Sequence, residues 1–183
     1  MEASVKPHIS RTTTRDDYET PVELFARVSE VFGFDWDLAA SDSNHLCPNY
    51  YTEQRSFLEN FSYVPRGASC WCNPPFSLKD EFLKAILELR KWARHVVFIC
   101  PNNARETDWW REFVWEQGDE IISLSPRAQF LLDGKRPMRT DAKGKTVESG
   151  AGFSCCLIVY RPRIPGAIYG PPRELIWQWN NAT

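Results

Sequence analysis

The chain has few of the residues that build metal centres or disulfide frameworks. Only three histidines occur among its 183 residues, His8, His45 and His95, and none falls in a zinc-ligand pattern. Its six cysteines, Cys47, Cys70, Cys72, Cys100, Cys155 and Cys156, include no C-x-x-C pair. Buried, reduced thiols are therefore expected, and no metal. No apolar run approaches the roughly 20 residues that cross a bilayer, and the polar start MEASVKPHIS lacks the apolar centre of a signal peptide. The expectation is a cytoplasmic protein without membrane association. An excess of positive charge is missing too: 22 Lys and Arg stand against 24 Asp and Glu, a formal net charge of −2. That balance argues against a surface that binds phosphate everywhere and leaves room for a local basic patch. Internal repeats and low-complexity tracts are also lacking.

What is present is a chain of 43 % hydrophobic and 14 % aromatic residues with 25 % charged, outside the low-hydrophobicity regime of disordered proteins. Its length suits one domain that buries roughly 70 % of the unfolded surface. Residues 1–17 read as a polar arm, 18–160 as the domain, and 161–183 as a proline-rich tail that ends near Trp177 and Trp179 and packs as a short helix or serves a partner. Thr20, Pro21 and Glu23 have the pattern of an N-cap, a first-turn proline and an N3 acid before a helix with Phe25, Val28 and Phe32 on one face and Gly33 as its stop. A strand is expected from Phe34 to Leu38, and mostly loop with one short strand from Asp42 to Gly67. Ala68–Cys72 reads as a buried strand, followed by NPPF and by a helix capped by Ser77 and Asp80 that carries Phe82, Ile86, Leu89 and Ala93. His95–Cys100 is a continuous apolar run of the kind covered on both faces. Asp108 is placed to cap the helix of Trp109, Trp110, Phe113 and Val114, and strands follow at Ile121–Leu124 and Phe153–Tyr160. Alternation of strand and helix implies a mostly parallel α/β sheet whose ligands sit beyond the carboxyl ends of the strands.

Asn73, Pro74, Pro75 and Phe76 lie at such an end. An exocyclic amine on a base is a poor nucleophile because its lone pair is delocalised into the ring. Two acceptors aimed at its two N–H bonds localise that pair. The Asn73 side-chain oxygen and the Pro74 carbonyl can supply them, while the double proline stiffens the turn and brings no competing N–H. Phe76 offers a flat face to a base taken out of its stack. Asn-Pro-Pro is also an ordinary way to leave a strand. Between Arg127 and Lys145, the basic residues Arg127, Lys135, Arg136, Arg139, Lys143 and Lys145 face only Asp133 and Asp141, the one locally basic stretch.

Six separated pieces, YETPVELF, FDWDLAAS, CPNYYTE, CWCNPPFS, VVFICPNN and SPRAQF, occur in one order along residues 18–160. In these the chain resembles the phage-type, Dam-like DNA N6-adenine methyltransferases. The resemblance implies a Rossmann-like class I fold and S-adenosyl-L-methionine as methyl donor, with direct displacement at adenine N6 in double-stranded DNA and neither metal nor covalent enzyme intermediate. It also implies a phage or prophage origin in a bacterial host. By the same resemblance Tyr18, Thr20 and Pro21 touch the methionine end of the cofactor, and Asp37, Ala39 and Ala40 form the first-strand cofactor loop. Asn73–Phe76 would be the catalytic turn and 127–145 the target-recognition loop, with Phe130 near the base.

The chain departs from most class I methyltransferases in having Ala39, Ala40 and Ser41 where a glycine-rich loop usually follows the first strand. The ribose contact stays open among Ser56, Glu53 and Glu59. NPPF alone also fits methylation of RNA adenine or of a protein glutamine. A member that binds nucleic acid through its basic loop without chemistry is the alternative of another class.

Overall fold

The computed structural model describes residues 16, 18–140, 144–148 and 153–180. The expected arm therefore lies outside the described residues except for Asp16. Helix α1 (Val22–Phe32) leads into β1 (Trp36–Asp37) and β2 (Asn49–Tyr50). After the single turn α2 (Phe57–Asn60) come β3 (Ser69–Cys72), α3 (Lys79–Leu89) and β4 (His95–Pro101). A π-helix, Trp110–Trp115, precedes β5 (Glu120–Ser125). A small antiparallel ribbon, β6 (Met138–Thr140) and β7 (Thr146–Glu148), precedes β8 (Cys155–Tyr160) and β9 (Arg173–Gln178).

The main sheet has seven strands in the order β2-β1-β3-β4-β8-β5-β9. All neighbours are parallel except where β8 runs against β4 on one side and β5 on the other. Parallel strands put the ends of β1, β3, β4 and β5 along one edge, and the reversal of β8 brings its beginning to that same edge. The chain order reverses between β1 and β3, the crevice where sheets of this kind hold ligands. Both faces of the sheet are covered. α3 packs Phe82, Leu83, Ile86 and Leu89 with Cys70, Val96, Phe98 and Trp110 on one face, and α1 packs Leu24 and Val28 with Trp71, Val97, Ile99 and Leu157 on the other. Two-sided cover is why β4 and β8 are buried along their whole length.

Several local expectations are corrected. Thr20 is not the cap of α1: Pro21 stands at that position, its carbonyl accepting from Phe25 N–H, and the Thr20 hydroxyl is engaged elsewhere. Gly33 does end the helix, at φ +62°. Neither Ser77 nor Asp80 caps α3, whose N-cap is Leu78; the preceding turn is tied instead by Asp16, which accepts from Ser77 N–H at 2.8 Å. Trp109, not Asp108, occupies the cap of the π-helix. The tail forms neither helix nor loose arm. Its residues 173–178 close the sheet as β9, pairing with β5, and the Trp179 indole donates to Pro126 O.

One polar knot locks the opposite end of the sheet. Arg90 at the exit of α3 is 5 % exposed and donates to Asp119 (3.0 Å), to Gln117 O (2.7 Å) and to Arg161 O (2.8 Å). It thereby joins α3 to the start of β5 and the end of β8. Removing one member of a buried pair strands the other charge. Arg90→Ala should cost about 3 kcal/mol of stability, read as a lower urea midpoint at unchanged slope, and Arg90→Lys should cost less.

Candidate active site

A cavity of about 790 Å³ opens at the β1/β3 crevice, within the size range of small-ligand sites. Its floor is the end of β1. Asp37 is the last residue of that strand and only 3 % exposed. Its Oδ1 accepts from Ala39 N–H at 3.3 Å and its Oδ2 from Leu46 N–H at 3.2 Å, so the loop between them is wrapped around the carboxylate. Burial pushes this carboxyl up to about 6, with the two amide donors and His45 pulling the other way. Ala39 and Ala40 border the cavity beside it, together with Tyr18 and Thr20 from the chain entering α1. Pro21 does not line it.

β3 delivers Asn73 to the wall of the same cavity. Its amide Nδ2 donates to Tyr18 O at 2.9 Å and to Thr20 Oγ1 at 3.1 Å. Both N–H groups are spent there. Among the described residues nothing donates to Asn73 Oδ1 or to the Pro74 carbonyl. Asn73, Pro74 and Phe76 also line a second, shallow depression with Tyr18, Cys100, Phe130 and Phe153. Asn73 is thus shared by both spaces. Tyr18 meets Phe130 and Phe153 edge-on at 6.0 and 5.9 Å, which closes the depression to about 30 Å³. That is room for one water or so. Phe76 stands edge-on to Trp109 with Lys79 Nζ 5.4 Å from its centroid, so one of its faces is already in use.

The family model for DNA N-6-adenine-methyltransferase (Dam) matches residues 8–168. The chain belongs to this Dam family. A curated relative, the DNA N-6-adenine-methyltransferase of Escherichia phage T1, is 27 % identical over 153 residues, which cover 79 % of this chain and 63 % of the relative. The chain spans a little less than two thirds of that relative's length.

The remaining residues singled out in the sequence are unevenly placed. Arg127 is exposed just beyond β5, after the cis Ser125–Pro126 bond. Lys135 and Arg136 are exposed, Arg136 paired with Glu148 at 2.8 Å. Arg139 lies in β6 and Lys145 just before β7, while Lys143 lies outside the described residues. Leu132 and Asp133 at the root of this loop reach the larger cavity. Phe130 is buried in the ring cluster. The Ser56 hydroxyl caps α2 by accepting from Leu58 N–H, and both Ser56 and Glu53 line the cavity. Asn102 is held within the fold, donating to Ser123 Oγ and accepting from Arg105.

Sequence reasoning missed Glu19. Its backbone pairs with Leu131 in both directions, and its carboxylate accepts from Gly134 N–H at 2.9 Å and, at 3.5 Å, from Asn44 Nδ2. Glu19 ties the segment that holds Asn73 to the root of the basic loop. Nothing in its local pattern signals this, because all of its partners are remote in sequence.

Asp37 has a cost that can be measured. The native carboxyl keeps its proton to about pH 6, whereas an unfolded aspartate releases it near pH 4. Its contribution to stability therefore falls as pH rises from about 4 to about 6 and is constant above. Relative to wild type, Asp37→Asn should gain on the order of 2 kcal/mol across that window, seen as a widening difference between urea midpoints.

Proposed function

We propose that this protein methylates the N6 amine of adenine in double-stranded DNA, with S-adenosyl-L-methionine as donor. The observation that carries the proposal is the place of Asn73: one amide between a ligand-sized cavity and an aromatic depression, its nitrogen tied back and its oxygen without a donor among the described residues. Membership of the Dam family and the likeness to the phage T1 enzyme support the same chemistry. The strand order, with its one reversed strand between β4 and β5 and its switch between β1 and β3, supports a Rossmann-like class I fold.

In this reading the larger cavity takes the donor. The Asp37 carboxylate suits its ammonium group, and two oxygens already held by backbone donors keep further lone pairs for it. Ala39 and Ala40 permit close approach, and Tyr18 and Thr20 border the amino-acid end. Glu53, just past β2, suits the ribose hydroxyls, and Ser56 borders the same cavity with its own O–H still to donate. The donor supplies a methyl group on a sulfonium that is already activated. Asn73 Oδ1 and the Pro74 carbonyl accept from the target amine and turn its lone pair toward that carbon, and the amine proton leaves after attack. Phe76, Phe130 and Phe153 hold the plane of the extruded base. Arg127 and the loop through Lys145 meet the phosphates.

Incubation with labelled donor and unmethylated duplex DNA, RNA or protein in parallel should label the DNA alone, at adenine N6. Asn73→Ala should lower that turnover by about 100-fold or more while donor affinity by calorimetry and the melting temperature hold. Label in RNA or glutamine only would refute the substrate. The exposed pair Arg127 and Lys135 bears on the DNA surface: replacing both with Ala should lower the slope of log affinity against log salt by about 2, and an unchanged slope places the phosphates elsewhere.

A further inference from the structure

We infer that Thr20 is a positioning residue for methyl transfer, one that acts through the Asn73 amide. The inference rests on Asn73 being the amine acceptor. A side-chain amide has two orientations that differ by exchange of oxygen and nitrogen, and only one of them presents an acceptor to the target. One observation selects it and two more hold it in place. The Tyr18 carbonyl, 2.9 Å from Nδ2, accepts only, so the exchanged amide would set oxygen against oxygen. The Thr20 hydroxyl, 3.1 Å from the same nitrogen, takes its second hydrogen and fixes the amide plane. Thr20 is itself 6 % exposed and stands next to Pro21, whose ring limits the backbone just before α1.

The segment that carries these acceptors has little freedom. Glu19, between them, is bridged to Leu131 by backbone hydrogen bonds of 2.9 and 3.1 Å, and the Tyr18 ring is wedged between Phe130 and Phe153. The hydroxyl of Thr20 is thus committed to the catalytic turn as well as bordering the donor cavity. Helix capping, the other role its sequence position suggests, is not performed.

The test separates aim from donor binding and from folding. Thr20→Val keeps the shape and removes the acceptor, and Thr20→Ser keeps the acceptor. For Thr20→Val, kcat should fall about tenfold, the equivalent of one hydrogen bond lost in the transition state, with donor Kd by calorimetry within about twofold of wild type. Thr20→Ser should recover most of the rate. In an Asn73→Ala background Thr20→Val should cost nothing more, because the group it aims is gone. A Thr20→Val enzyme with weakened donor binding and normal kcat overturns the inference, as does an additive loss in the double variant. A fully active Asn73→Ala enzyme would instead defeat the reading of Asn73 on which it stands.

Discussion

Strand direction is the constraint from which the rest of this molecule follows. β1, β3, β4 and β5 run the same way, so their exits share one edge, and the single reversal at β8 adds its entry to them. Asp37, Asn73, Pro101 and Phe153 are far apart in the chain and become neighbours only through this arrangement. The crevice between β1 and β3 exists because the chain steps outward to β2 and then returns on the other side of β1. A parallel sheet demands cover on both faces, and α1 and α3 supply it from opposite sides with largely separate core clusters. That double cover holds the edge rigid enough for single hydrogen bonds to define a site.

The polar groups at the two ends of the sheet are treated differently. Arg90, at the end away from the cavity, is satisfied by a carboxylate and two carbonyls, and its work is structural. At the cavity end the satisfaction is incomplete. Asp37 is buried at a cost that shows in its raised proton affinity, and its two amide donors do not fill its lone pairs. Asn73 has its nitrogen saturated, and among the described residues nothing donates to its oxygen. Unspent acceptors facing a cavity are the signature of groups kept for a ligand, and two of them border the same space here.

The chain entering α1 links these acceptors to the surface beyond. Tyr18 and Thr20 hold the amide, while Glu19 binds the backbone at Leu131, the Gly134 amide and, more loosely, the Asn44 side chain. The loop after β1, the turn after β3 and the root of the basic loop therefore meet at three consecutive residues. The rings of Tyr18, Phe130 and Phe153 meet beside them and close the shallow depression that Asn73 also lines.

How much was legible beforehand depended on the range of the interaction. The apolar periodicity of Val28, Phe82 and Ile86, the unbroken run at β4 and the stop at Gly33 are local, and the helices and inner strands they imply are present. The motif pieces were enough to place Asn73–Phe76 at a strand exit and to suggest the family. What local pattern could not settle were the groups with two eligible partners. Thr20 reads equally well as a helix cap or a site residue, and only the arrival of Asn73, 53 positions later, decides which. Likewise the Ser56 hydroxyl was drawn into a cap by accepting from Leu58 N–H, Asp37 was buried by a loop that folds back over it, and the tail became β9 because β5 offered an open edge. Sequence by itself determined the helices α1 and α3 and the inner strands β3, β4, β5 and β8, whose apolar patterns are local. The tertiary structure alone decided which atom each polar side chain holds, since a hydrogen bond is chosen by geometry within about 3 Å and spacing along the chain carries no such information.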